Sequence, residues 1–168
     1  DLGFIKSIPD LYNLQQRAEE LKEIEGFGKK SVDIILKGIE ASKQKDFKVL
    51  LPSLGFSEVG HKVTELLIES GYDDVDKIIN LVKSKTAKEE LMEIHGLGPR
   101  TVESILVVFT DKQVLALIDS LKKLGLNFKG KQTLKSEKQP FLDQSWCVTG
   151  SFQNFQPRDK AMDLIVHH

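Results

Sequence analysis

Twelve residues, LKEIEGFGKKSV at 21–32, return seventy positions later as LMEIHGLGPRTV at 91–102, identical at six of the twelve sites. Lys30/Arg100 and Ser31/Thr101 differ only conservatively. In each copy two glycines one residue apart interrupt apolar spacing of helical period. Behind the first turn Val32, Ile35, Leu36 and Ile39 stand at i, i+3, i+4 and i+7, as do Val102, Ile105, Leu106 and Phe109 behind the second. Before the turns lie shorter helical segments carrying Leu21 and Ile24, or Leu91 and Ile94. A repeated unit cannot bury its apolar face alone, so the repeat predicts helices packed through tandem copies. A third, weaker copy lies between them. EVGHKVTELLIES at 58–70 aligns with Gly60 on Gly28, which puts Lys62 on Lys30 and Glu58 where the first glycine stood.

The chemistry of such a unit follows from the helix terminus. The first N–H groups of a helix have no intrahelical partner, and the dipole leaves partial positive charge there. Gly26 and Gly28 permit positive φ and close approach of an anion to the backbone. A phosphate would accept the N–H groups around Gly28–Lys30, with charge from Lys29 or Lys30 and a hydroxyl donor from Ser31. The same argument nominates Gly96, Gly98, Arg100 and Thr101, and places Gly60 and Lys62 behind them because Glu58 weakens anion affinity. The apolar residue between the glycines, Phe27 or Leu97, is expected to plug the turn into the core. A single GxG between helices reads as a tight turn. Two matched copies, each followed by a basic and then a hydroxyl residue, read as a phosphate grip. None of these contacts reaches a base edge, so recognition would be independent of sequence. Paired hairpins would address the two antiparallel strands across the minor groove.

The remaining properties bound this reading. A formal charge of -1 excludes a histone-like basic binder but leaves room for local basic clusters. The single Cys147 excludes a disulfide framework or a multi-cysteine zinc site within the segment and suits a reducing cytoplasm. No apolar run approaches the roughly 20 residues of a membrane span. Val114, Leu117, Ile118 and Leu121 form a further stripe, stopped by Gly125 at a C′ position. Residues 1–128 are therefore expected to be an all-α domain whose first hairpin is truncated, since DLGFIKSIPDLYNL reads as the back half of one more unit. Residues 129–140 carry four lysines against Glu137 and read as a flexible linker. Residues 141–168 supply one strand, WCV, and the start of an amphipathic helix with Ala161, Leu164 and Ile165. That is too little for a domain, so the chain, which opens at Asp1, is expected to be a fragment.

EGFGKKSVDIIL and HGLGPRTVESIL look like helix-hairpin-helix motifs. With DLYNL, IEASK and LLPSLGFSEVGHK in order between and before them, the chain resembles the C-terminal part of bacterial NAD-dependent DNA ligases. The resemblance implies a tandem helix-hairpin-helix domain of the kind seen in RuvA domain 2, followed by a linker and an incomplete α/β BRCT segment. It also implies DNA contacts at Gly26, Gly28, Lys29 and Lys30, at Gly60, His61 and Lys62, and at Gly96, Gly98, Arg100 and Thr101. WCVTGSF with Arg158-Asp159 resembles the first strand and helix of BRCT, which adds Thr149, Gly150 and Arg158 as phosphate or DNA contacts. A strand-end Thr-Gly also reads as a plain turn. The implied partners are double-stranded or nicked DNA and the remaining domains of a cytoplasmic enzyme of replication and repair. The implied cofactors of that parent are NAD, magnesium and structural zinc, none of them held by this segment. Pro99 departs from the family pattern by removing a basic residue and an N–H donor.

Two rivals use the same residues. A base-excision glycosylase would employ Lys30 as a Schiff-base nucleophile, but the nearest following aspartate is Asp46, closer than that chemistry's usual spacing. A non-enzymatic junction-binding scaffold, or a module that binds proteins, would keep the hairpins without any ligase. His61 and His95 read as surface or turn residues, not as metal ligands. Ligation needs a nucleophilic lysine in a K-x-D-G motif, and none occurs among the 168 residues. The chain alone is therefore expected to leave nicked duplex unsealed with NAD, read as persistence of the nicked strand on a denaturing gel.

Overall fold

The computed structural model describes residues 3–130 together with Cys147 and Thr149. The rest of the expected linker, Gly150, Arg158 and the expected BRCT strand and helix lie outside the described residues, apart from the isolated Cys147 and Thr149, both exposed. The described part is all-α. Its helices are α1 (Ile8–Asn13), a 3-10 turn (Leu14–Arg17), α2 (Ala18–Lys22), α3 (Lys29–Ser42), α4 (Phe47–Ser53) and α5 (His61–Glu69). They continue with α6 (Val75–Val82), α7 (Ala87–Glu93), α8 (Pro99–Thr110) and α9 (Lys112–Lys123).

Local chemistry sets the helix ends. Asp74 caps α6 by accepting the Asp76 N–H at 2.7 Å, and Asp111 caps α9 through Gln113 and Val114 at 2.7 and 3.0 Å. At the other end of α9, Gly125 sits at φ +91. It donates to Lys122 at 3.0 Å while Leu126 donates to Leu121 at 3.2 Å, the paired bonds of a Schellman stop. Gly71, at φ +93, ends α5 in the same way through Ile68 and Leu67. The chain then closes back on itself. Phe128 is buried and accepts from Val75, Lys129 bridges to Asp74, and Gly130 donates to Asp73. Lys129 and Gly130, at the head of the expected linker, are thus held against the start of α6.

Apolar burial divides into two clusters. The larger gathers Phe47, Leu51, Val59, Leu67, Val75, Ile78, Leu91, Val102, Ile105, Phe109, Ile118 and Leu121, with Phe56 set edge-on to Phe109 at 6.2 Å. The smaller is formed by Leu14, Leu21 and Val32, flanked by Phe4, Leu11, Ile24, Leu36 and Ile39. It belongs to the first repeat, whose α3 packs on α1 and α2. The Asn127 N–H to the Lys43 carbonyl at 3.0 Å and a Ser42–Tyr12 hydroxyl contact at 3.3 Å tie α3's end to the rest.

The two clusters treat equivalent residues differently. Ile105 is fully buried, whereas Ile35, its counterpart seventy residues earlier, is 36% exposed. Replacing each by alanine should therefore separate them. Ile105→Ala is expected to cost about 2–5 kcal/mol by urea denaturation, and Ile35→Ala under about 1 kcal/mol.

Candidate nucleic-acid interface

The three repeats build the same turn three times. The N–H of Phe27 donates to Ile24 at 2.9 Å, that of Val59 to Phe56 at 3.1 Å, and that of Leu97 to Ile94 at 3.1 Å. One residue earlier the backbone is left-handed in every copy, at φ +85 for Gly26, +59 for Glu58 and +96 for Gly96. One residue later a glycine caps the following helix in extended geometry: Gly28 at φ -67, Gly60 at φ -86 and Gly98 at φ -88. The glycine carbonyl then accepts the helix's fourth N–H, from Val32 at 3.1 Å, Thr64 at 3.0 Å and Val102 at 3.0 Å. Thr64, fully buried, also returns its hydroxyl to the Gly60 carbonyl at 3.0 Å.

None of these three caps carries a side-chain hydrogen bond. The N–H groups of Lys29 and Lys30, of His61, Lys62 and Val63, and of Arg100 and Thr101 have no partner within the described residues. Each long helix of a repeat thus opens on unsatisfied donors at the positive end of its dipole. The side chains nominated from the sequence surround them. Lys29, Lys30, Ser31, His61, Lys62 and Arg100 are exposed, and Thr101 is half-buried. Pro99 occupies the first position of α8, where its missing N–H and fixed φ suit a helix start. Lys62 is drawn toward Glu65 at 4.0 Å on its own helix. His95 is exposed, and the described residues contain no cluster of three or more His, Cys, Asp or Glu able to hold a metal ion.

The glycines do two different jobs. At Gly96, positive φ strains any side chain, and a Leu66 methyl 3.1 Å from where a Cβ would stand would have to shift. At Gly28, Gly60 and Gly98 the backbone is one that any residue adopts, and nothing lies within 4 Å of a Cβ. The packing of the described residues does not require glycine there, and a Ser, Asp or Asn would cap the helix better.

The apex residue is buried in two of the three turns, and of the two expected to be plugs, Phe27 and Leu97, only Leu97 is one. Val59 and Leu97 are buried, at 1% and 7% exposure, but Phe27 is 38% exposed. The expectation that Phe27 plugs its turn is therefore wrong. Leu97 enters the large cluster, where the second and third hairpins lie side by side with Leu66 against Gly96. The first hairpin has only the small cluster behind it, and Phe27 is not in it. Sequence reasoning also missed an ion pair between hairpins, from Arg100 to Glu58 at 3.2 Å.

The fold and turn geometry together define a tandem helix-hairpin-helix protein, and a family model described as a SAM-like helix-hairpin-helix tandem matches residues 50–111, the second and third hairpins. Over nearly its whole length the chain is similar to a part of curated DNA ligases. It is 60% identical over 166 residues to the DNA ligase of Leptospira biflexa and 60% identical over 168 residues to that of Leptospira interrogans. It is 31% identical over 158 residues to the DNA ligase of Fusobacterium nucleatum. The alignments cover 99%, 100% and 92% of this chain, and the chain spans about a quarter of the length of the two Leptospira relatives.

The two glycine roles predict separable effects on folding. Gly96→Ala should lose about 1–2 kcal/mol through left-handed strain and the Leu66 contact. Gly98→Ala meets no atom of the described residues within 4 Å and should lose under about 1 kcal/mol, the cost of a poorer N-cap residue. Thermal melts of the two variants check both.

Proposed function

We propose that this chain is the helix-hairpin-helix segment of an NAD-dependent DNA ligase, taken from its C-terminal part, and that it grips the sugar-phosphate backbone of nicked or intact duplex without reading sequence. The observation that carries this reading is the glycine at each long-helix cap, Gly28, Gly60 and Gly98, where the protein's own packing asks for none. A Cβ at those positions would meet no atom of the described residues within 4 Å, so what it would obstruct is a ligand approaching the unsatisfied N–H groups behind it. A phosphate oxygen fits that opening in charge and size. The relatives' shared name, DNA ligase, supports duplex DNA as the source of the phosphate.

In this reading Gly26, Gly28, Lys29, Lys30 and Ser31 hold one phosphate, and Gly96, Gly98, Arg100 and Thr101 another. Gly60, His61 and Lys62 form a weaker third site, because Glu58 stands in its turn. Thr149, Gly150 and Arg158 belong to the proposed BRCT segment beyond a linker. Nick sealing, with its NAD, magnesium and zinc, is assigned to the remainder of a cytoplasmic parent that works in replication and repair. No helix among the described residues is long and apolar enough to cross a membrane.

The mechanism of the grip is electrostatic and geometric. Phosphates displace water from the helix caps, accept two or three backbone N–H bonds, and release condensed counterions to bulk. Each engaged phosphate adds about −0.9 to the slope of log affinity against log salt. Lys30→Glu combined with Arg100→Glu should therefore weaken binding to a fluorescein-labelled nicked duplex by at least about tenfold and flatten the salt slope by about 2. Fluorescence anisotropy titrations at several salt concentrations measure both. Unchanged affinity would reject the phosphate grip and favour a purely structural role for the hairpins.

A further inference from the structure

Glu58 is out of place by every local rule. It is the one non-glycine among the described residues with positive φ, at +59, in the position that Gly26 and Gly96 fill at +85 and +96. A Cβ in the left-handed region is strained, and nothing about the turn calls for a carboxylate. What the side chain does is reach across to the neighbouring hairpin, where it meets Arg100 at 3.2 Å. The Arg100 side chain remains 88% exposed, so it is held on one side only and stays open to a ligand.

Resting on the backbone-gripping reading above, we propose that Glu58 is an affinity-setting residue: it holds Arg100 in place between the second and third hairpins and competes with DNA phosphate for it. In the free protein one guanidinium nitrogen of Arg100 lies 3.2 Å from the Glu58 carboxylate while most of the side chain faces solvent. On binding, Arg100 exchanges the carboxylate for a phosphate, and Glu58 is left beside the duplex needing a counterion of its own. The exchange favours phosphate because an ion pair this exposed is weak, while a phosphate at the α8 cap is also held by backbone donors. The net outcome is a grip whose strength is trimmed at its centre. The Glu58 turn itself repels phosphate, so the pair of hairpins holds the duplex asymmetrically, more firmly at α8 than at α5.

The trimming has a signature that a merely structural ion pair lacks. If Glu58 only stiffened the two hairpins, Glu58→Gln would leave binding unchanged or weaken it, with the salt slope unaltered. If Glu58 competes, Glu58→Gln should tighten binding to a labelled duplex about 2–5-fold at low salt. It should also steepen the slope of log affinity against log salt by about 0.9, because one more counterion is released. In an Arg100→Ala background the same substitution should give no more gain than a distant one-charge change on α7, Glu89→Gln, gives in the parent.

The experiment is an anisotropy titration series at several salt concentrations. It compares the full chain with Glu58→Gln, Arg100→Ala, the double variant, Glu89→Gln and Lys30→Glu, with thermal melts confirming that each is folded. Unchanged or weaker binding by Glu58→Gln, or an equal gain without Arg100, would overturn the proposal while leaving the phosphate grip intact. Indifference of binding to both salt and Lys30→Glu would overturn the grip itself, and the Glu58 role with it.

Discussion

The left-handed residue at the start of each turn is the constraint on which the rest of this structure depends. Gly26, Glu58 and Gly96 reverse the chain there, so that the next residue closes a tight i to i−3 bond and the glycine after it falls into extended geometry. Only then does the following helix start at the turn, with its first N–H groups facing outward. Ordinary L-residues resist that conformation, so the sequence supplies glycine twice and tolerates strain once. Take the left-handed step away and the apex residue leaves the core, the helix cap shifts, and the row of free donors disperses.

From that constraint follows a division of labour between the two glycines of the first and last motifs, and between Glu58 and Gly60 in the middle one. The first serves the backbone, most plainly at Gly96, where positive φ combines with a tight approach of Leu66 to the place of a Cβ. The second serves no contact within the described residues. Two residues two positions apart thus stand under different constraints, one on the backbone and the other with open space where a Cβ would stand among the described residues. The larger core stabilises the hairpins that it holds side by side: Val59, Leu67, Leu97, Val102 and Ile105 all contribute to it. The first hairpin, backed by three buried residues, presents the same donors on a thinner foundation.

Much of the helical layout was legible from spacing. The stripes at Val102, Ile105 and Phe109 and at Ile118 and Leu121 are buried as their period requires, and Gly125 stops α9 where its position implied. The third, weaker repeat is a true copy, since Val59, Gly60 and Thr64 reproduce the bonds of Leu97, Gly98 and Val102. What spacing could not tell was which apolar residues find a partner. Phe27 and Leu97 occupy equivalent positions and look equally hydrophobic, yet only Leu97 joins a large core. Burial depends on what lies across the gap, and that is a long-range property. The Glu58–Arg100 pair was illegible for the same reason: the two residues lie 42 positions apart and belong to different repeats.

By itself, the sequence determined the fold class, the three turns and the identity of the exposed cationic and hydroxyl side chains behind them. These are local consequences of period, glycine placement and helix-end chemistry, which act over a handful of residues. Only the tertiary structure decided that the second and third hairpins share a core while the first does not. It also decided that Glu58 faces Arg100, and that Gly28, Gly60 and Gly98 have open space where a Cβ would stand. Each of those outcomes depends on atoms brought together from distant parts of the chain, and no local pattern specifies which surfaces will meet.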